Sequence, residues 1–219
     1  MPEFDDGAIN VLYVGRAEKR KGLPYLLRAF RMLHARIPAT RLIVVGPDSR
    51  RLRRYRATIG QEAGPSIVFV DGVSNVDLPR YHRSAHIFCS PATGNESQGY
   101  VLLEAMSAAL PVVASNIEGY ASVLSHGVEG LLVPPKDSSA LADVLTALAR
   151  DPGARQRLGR AGQLRAEEYS WPRVTQQFIS YYDRLRTERA LTTGRVAAAG
   201  TVTADMDARA EGRWMQWRA

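Results

Sequence analysis

Two carboxylates eight residues apart, Glu96 and Glu104, carry the strongest chemical signal in this chain. Glu96 stands in Asn95-Glu96-Ser97-Gln98-Gly99-Tyr100, and Glu104 in the apolar, helix-like run that follows. A loop carboxylate can accept hydrogen bonds from two hydroxyls of a sugar, and a second one a turn into a helix can take another vicinal pair. Between them, the amides of Gln98, Gly99 and Tyr100 open the helix, where N–H groups lack intrahelical acceptors and favour anionic oxygen. One short segment can therefore hold a sugar, a phosphate and a ribose in sequence. A purely structural reading competes with this one. It makes Glu104 a salt-bridged helix residue and Glu96 a partner of the helix dipole.

A second constellation closes the first apolar run, where Val14-Gly15-Arg16 is followed by Lys21-Gly22 and a new helical pattern. Two cations beside a helix N-terminus suit a diphosphate: arginine offers a bidentate fork, lysine a point charge, and the helix its free N–H groups. A solvated loop in an arginine-rich protein explains the same residues equally well. The nucleotide fingerprints of other enzymes are missing. No G-x-G-x-x-G follows the first run, which argues against a nicotinamide or flavin enzyme, and no G-x-x-x-x-G-K-[ST] marks a P-loop.

The elements that must carry these residues follow from periodicity. Apolar, β-branched runs recur at Ile9–Val14, Leu42–Val45, Ile67–Val70, Ile87–Cys89, Val112–Ala114 and Leu131–Val133. Between the first two, Leu23, Leu26, Leu27, Phe30, Leu33 and Ile37 recur at helical spacing; between the fourth and fifth, Val101, Leu102, Ala105, Met106 and Ala109 do the same. Strands apolar throughout and alternating with helices predict a parallel sheet covered on both faces. The expected fold class is α/β: a doubly wound, Rossmann-like sheet of about six strands. After Val133 the pattern turns wholly helical. Ser138 or Ser139 is expected to cap a helix through Arg150, Asp151-Pro152 to start another, and Ser170-Trp171-Pro172 to open a last one. The ordered domain is expected to span residues 1–187, with 188–219 a disordered tail.

Composition narrows the function classes. The 219 residues are 45% apolar and 23% charged, an ordinary globular balance. The single Cys89 cannot form an internal disulfide, and His34, His82, His86 and His126 are too scattered to suggest a metal site. Asp205-Met206-Asp207 is a D-x-D pair of carboxylates of a kind that can hold a metal, but it falls in the expected tail, where chance accounts for it. The acidic, polar start MPEFDDGA is no secretory signal, so a cytoplasmic location is expected. The net charge of +7 is concentrated: residues 1–60 hold 13 basic and 5 acidic side chains. With 26 arginines against 3 lysines and no nucleic-acid motif, nucleic acid is not expected as a partner. The cluster Arg50, Arg51, Arg53, Arg54 and Arg56 suggests instead a peripheral contact with an anionic membrane surface on its inner face.

Taken together, VGRAEKRKG, NESQGYVLLEAMSAALPVVAS with its E-x7-E spacing, HGVEGLLVPPKD and YSWPRVTQQFISYYDRL resemble the retaining glycosyltransferases of family 4. The resemblance covers roughly residues 9–187 and is to the C-terminal, nucleotide-sugar-binding half of their GT-B fold. Among members it looks most like the phosphatidylinositol mannosyltransferases, which implies transfer of mannose from GDP-mannose with retention. By this resemblance Arg16 and Lys21 neutralise the leaving diphosphate and Glu96 holds hexose hydroxyls. Gln98, Gly99 and Tyr100 present amides to sugar and phosphate, Glu104 binds the ribose, and Val73 lies near the base. The donor is a substrate, and neither cofactor nor metal is expected. Ala109 departs from the family's usual glycine and is expected to crowd its turn. The resemblance implies an acceptor-binding N-terminal domain as well, which these 219 residues are not expected to contain. That leaves open an enzyme, a non-catalytic or truncated donor-binding module, and one subunit of a split enzyme. A bare apolar side on the last helix would then favour a partner domain or self-association.

Overall fold

The structure, a computed structural model, describes residues 1–16, 18–46, 55 and 64–199, with side chains to 191. The chain divides into two units, Met1–Ser170 and Trp171–Ala219.

The first unit is built on six parallel strands: β1 (Ile9–Val14), β2 (Thr40–Val45), β3 (Ile67–Val70), β4 (Ile87–Ser90), β5 (Val112–Ser115) and β6 (Gly130–Val133). They lie in the order β3-β2-β1-β4-β5-β6. Helices are α1 (Leu23–Arg36), α2 (Leu78–Ser84), α3 (Tyr100–Ser107), α4 (Glu118–Ala121), α5 (Ser138–Arg150) and α6 (Pro152–Glu168). The strands read as continuous apolar runs because both of their faces are covered. Along β1, Val11 and Tyr13 enter one core with Leu26, Phe30 and Leu145, while Leu12 enters the opposite core with Phe88, Leu102 and Tyr120. Helices α1 and α5 pack together, as do α3 and α6.

The strand order reverses between β1 and β4, the position where doubly wound sheets open a crevice at their carboxyl ends. The loop after β1, with Arg16 and Lys21, and the loop after β4, with Glu96, both leave the sheet there.

Local details depart from expectation in two places. The cap of α5 is Asp137, whose side chain accepts from the N–H groups of Ser139 and Ala140 at 2.9 Å, and not Ser138 or Ser139. A carboxylate reaches two orphan donors and also complements the helix dipole, which a serine hydroxyl does less well. In the second unit, α7 (Trp171–Ala199) runs past residue 187, so residues 188–199 continue a helix where an irregular tail was expected. The rest of that tail, with Asp205-Met206-Asp207, lies outside the described residues, as does the arginine cluster 50–56.

Ala109, expected to crowd its turn, follows α3 with φ +56°, the left-handed region that costs an L-residue about 1 kcal/mol. Ala109→Gly is expected to stabilise the protein by about 1 kcal/mol and raise its melting temperature by about 2–4 °C, measured by circular dichroism. An unchanged or lower midpoint would contradict strain at this turn.

Candidate functional site

The site assembles from two loops 75 or so residues apart in sequence, brought together by the pairing of β1 with β4. On the first, Lys19–Lys21 forms one short turn that ends at Gly22, the residue from which α1 begins. On the second, residues 91–99 run from β4 to α3, with Gly99 as the helix N-cap.

Their meeting point is the Glu96 carboxylate. Its Oε1 lies 2.8 Å from Lys21 Nζ and 2.6 Å from Arg20 Nη1. The Glu96 side chain is only 10% exposed, and an ionised carboxylate so deeply set requires paired cations. The structure thus brings Lys21 and Glu96 together. Arg16 is not drawn into the same contact: it is 76% exposed, and its Nε pairs with Glu18 Oε1 at 2.9 Å. Glu18 in turn accepts from Arg20 Nε at 2.8 Å. Arg16, Glu18, Arg20, Glu96 and Lys21 therefore form one chain of alternating charge. An exposed pair such as Arg16–Glu18 contributes little and is readily exchanged for an anionic ligand.

Behind Glu96, α3 starts with Tyr100, and Leu102 N–H is bonded to Gly99 O at 2.8 Å. Gln98, Gly99 and Tyr100 precede or open this helix, so their amides lie at the end where intrahelical acceptors are lacking. Gly99 is buried and Tyr100 exposed. Glu104 sits one turn further on, where it lines a groove of about 510 Å³ with Asn75, Leu78, His82 and Ser107. Partial burial raises its carboxyl above the ordinary value, although part of the side chain meets solvent. Val73, in the loop after β3, packs its half-buried side chain on the core, two residues before Asn75 of that groove. Deeper in the groove, His82 Nδ1 lies 3.2 Å from Leu78 O, and burial lowers its pKa below the usual imidazole value.

Arg20 and Glu18 escaped sequence reasoning, although an acid next to three bases in Glu18-Lys19-Arg20-Lys21 was a signal that they pair. Gly119 escaped as well. A Cβ there would stand 1.7 Å from the Glu96 carbonyl oxygen, so only glycine lets α4 support that loop. Among the described residues, no group of three or more His, Cys, Asp or Glu could hold a metal ion. Nor, among them, is any helix long and apolar enough to cross a membrane.

A doubly wound parallel sheet of order 3-2-1-4-5-6, with cations and a carboxylate facing each other at its switch point, defines a Rossmann-like α/β domain. The chain matches the family described as "Glycosyl transferases group 1" over residues 2–165, and it belongs to that family. It is 37% identical over 179 residues to a phosphatidyl-myo-inositol mannosyltransferase of Mycobacterium leprae, covering 81% of this chain and 47% of that protein. It is 32% identical over 192 residues to a D-inositol 3-phosphate glycosyltransferase of Kribbella flavida, covering 84% and 45%. Among solved structures, sucrose-phosphate synthase from Thermosynechococcus elongatus superposes with a TM-score of 0.72 at 30% identity, over 84% of this chain and 47% of that one. A glycosyltransferase from Rickettsia africae, at 20% identity and a TM-score of 0.73 over 84% and 50%, shares the fold. The chain spans about half the length of these relatives.

Proposed function

We propose that this chain is the donor-binding half of a retaining hexosyltransferase, with GDP-mannose as its favoured donor. Lys21, joined by Arg16 once it leaves Glu18, takes the diphosphate. Glu96 takes hexose hydroxyls, and the amides of Gln98, Gly99 and Tyr100 take sugar and phosphate oxygens. Glu104 takes the ribose, with the base towards Val73. Cations and helix amides aimed at the departing diphosphate stabilise the charge that develops there, so the reaction needs no metal in this reading.

One observation carries the proposal. Lys21 and Glu96, from loops far apart in sequence, meet at 2.8 Å where the crevice of the fold opens. A cation and a carboxylate side by side are the two groups that a sugar diphosphate requires. The names of the mannosyltransferase and inositol-phosphate glycosyltransferase relatives support a hexose donor and suggest an inositol-bearing acceptor as the first to assay. Acceptor binding is assigned to a second GT-B half, as a separate domain or subunit. The exposed Trp171, Phe178, Tyr181 and Tyr182 of α7 support an apolar contact with such a partner or with a second copy. The proposed setting is the cytoplasm, with the basic N-terminal third against an anionic membrane.

Calorimetric titration of the whole chain with GDP, UDP, ADP and their sugar conjugates tests the proposal. Tightest binding is expected for GDP-mannose, with Glu96→Ala weakening the sugar conjugate more than the free diphosphate. Glu104→Ala is expected to weaken both by about tenfold or more, the loss of hydrogen bonds to a charged group. Failure of every compound to bind, or normal binding by both variants, would contradict the assignment.

A further inference from the structure

Arg20 lies between the two loops of the site and is bonded to both. Its Nε donates to Glu18 Oε2 at 2.8 Å, and its Nη1 donates to Glu96 Oε1 at 2.6 Å and to Asn95 O at 2.9 Å. Its own carbonyl accepts from the Thr93 N–H at 2.7 Å and from the Thr93 hydroxyl at 3.3 Å. Residues 18–20 and 93–96 are thus joined through backbone and side chain together.

The two cations on Glu96 act differently. Lys21 is a point charge on a flexible stem; it lowers the cost of burying the carboxylate but leaves its direction free. Arg20 is a planar fork already anchored at Nε by Glu18, so its Nη1 has little freedom to swing. It binds Glu96 and the carbonyl of the preceding residue at once, which fixes side chain and backbone in one frame. Both cations make their closest contact with Oε1. A carboxylate oxygen has two acceptor sites, so Oε2 keeps the capacity for a pair of hydroxyl donors.

We infer that Arg20 is a positioning residue for the hexose of the donor: it holds Glu96 by Oε1 so that Oε2 meets the sugar hydroxyls, and it does not itself touch the donor. The inference rests on the reading of Glu96 as the hexose carboxylate given above. It distinguishes Arg20 from Lys21, its neighbour in sequence, which acts on the diphosphate.

The test uses the ratio of the dissociation constants for GDP and GDP-mannose, measured by calorimetry on the full chain; UDP and UDP-glucose replace them if the donor panel selects uridine. The ratio isolates what the hexose adds. In Arg20→Gln it is expected to fall about tenfold, as for a lost hydrogen bond to a charged group, while the GDP constant itself changes by no more than about twofold. Arg20→Lys is expected to recover part of the ratio, since an ammonium keeps the charge but lacks the fork. In a Glu96→Gln background, Arg20→Gln is expected to reduce the ratio no further. A parallel loss of GDP and GDP-mannose binding would mean that Arg20 only supports the loops, and an unchanged ratio would mean that it does nothing for Glu96. Either result overturns the inference. If Arg20→Gln melts below the assay temperature, Arg20→Lys carries the same comparison. A wild-type chain that binds no nucleotide overturns the proposed function instead, which separates the two failures.

Discussion

Gly22→Ala is expected to destabilise the protein by about 3 kcal/mol or more and to lower its melting temperature by roughly 6–12 °C. Gly22 has φ +73°, and a Cβ built on it would stand 1.7 Å from the carbonyl oxygen of Pro91. The clash is between two backbones, so no side-chain rotation relieves it. Either α1 or the loop after β4 must move, and the bond from Thr93 N–H to Arg20 O, 2.7 Å long, lies directly alongside. Lys21 would be carried away from Glu96 in the same movement. The expected consequence is loss of donor binding beyond what the drop in stability explains. Thermal melts and a GDP titration at a temperature where the variant is folded check both halves. Gly64→Ala is the control, because its Cβ would meet nothing within 4 Å; its stability is expected to change by no more than about 0.5 kcal/mol.

Lys21→Ala is expected to weaken GDP binding by roughly a hundredfold, the effect of removing one partner from a largely desolvated charge pair. The Lys21 side chain is 19% exposed, and its removal also leaves Glu96 paired with Arg20. Arg16→Ala is expected to cost less, because that side chain is 76% exposed and already paired with Glu18. Its contribution is also expected to shrink with added salt, as exposed charges are screened within a Debye length of about 8 Å at physiological ionic strength. Calorimetry at two salt concentrations separates the two. Equal losses with equal salt dependence would contradict the different placements of these cations.

Much of the architecture was legible in the residues because burial on both faces leaves an unbroken apolar run. Ile9–Val14 and Ile67–Val70 were read with their observed bounds. Thr40 and Arg41 were missed at the start of β2 because both are polar. Thr40 is nevertheless buried, its hydroxyl donating to Ile37 O at 2.8 Å, and Arg41 is paired with Asp6. The strand order was accessible only as a class, since pairing depends on crossovers and not on any one run. The candidate site residues were chosen by type and spacing, which say nothing of their partners. Glu96 and Arg20 stand 76 positions apart, a contact that only the crossover from β1 to β4 creates. Gly119 was invisible for the same reason: its need to be glycine comes from the backbone of another loop.

A crystal structure of the whole chain with GDP-mannose tests the account most directly. The diphosphate is predicted to lie within hydrogen-bond distance, about 3 Å, of Lys21 Nζ and the amides that open α3. Arg16 is predicted to have turned from Glu18 to the phosphates. The mannose hydroxyls are predicted on Glu96 and the ribose hydroxyls on Glu104. A nucleotide bound elsewhere, or bound at this crevice with Glu96 facing no hydroxyl and Lys21 no phosphate, would contradict it.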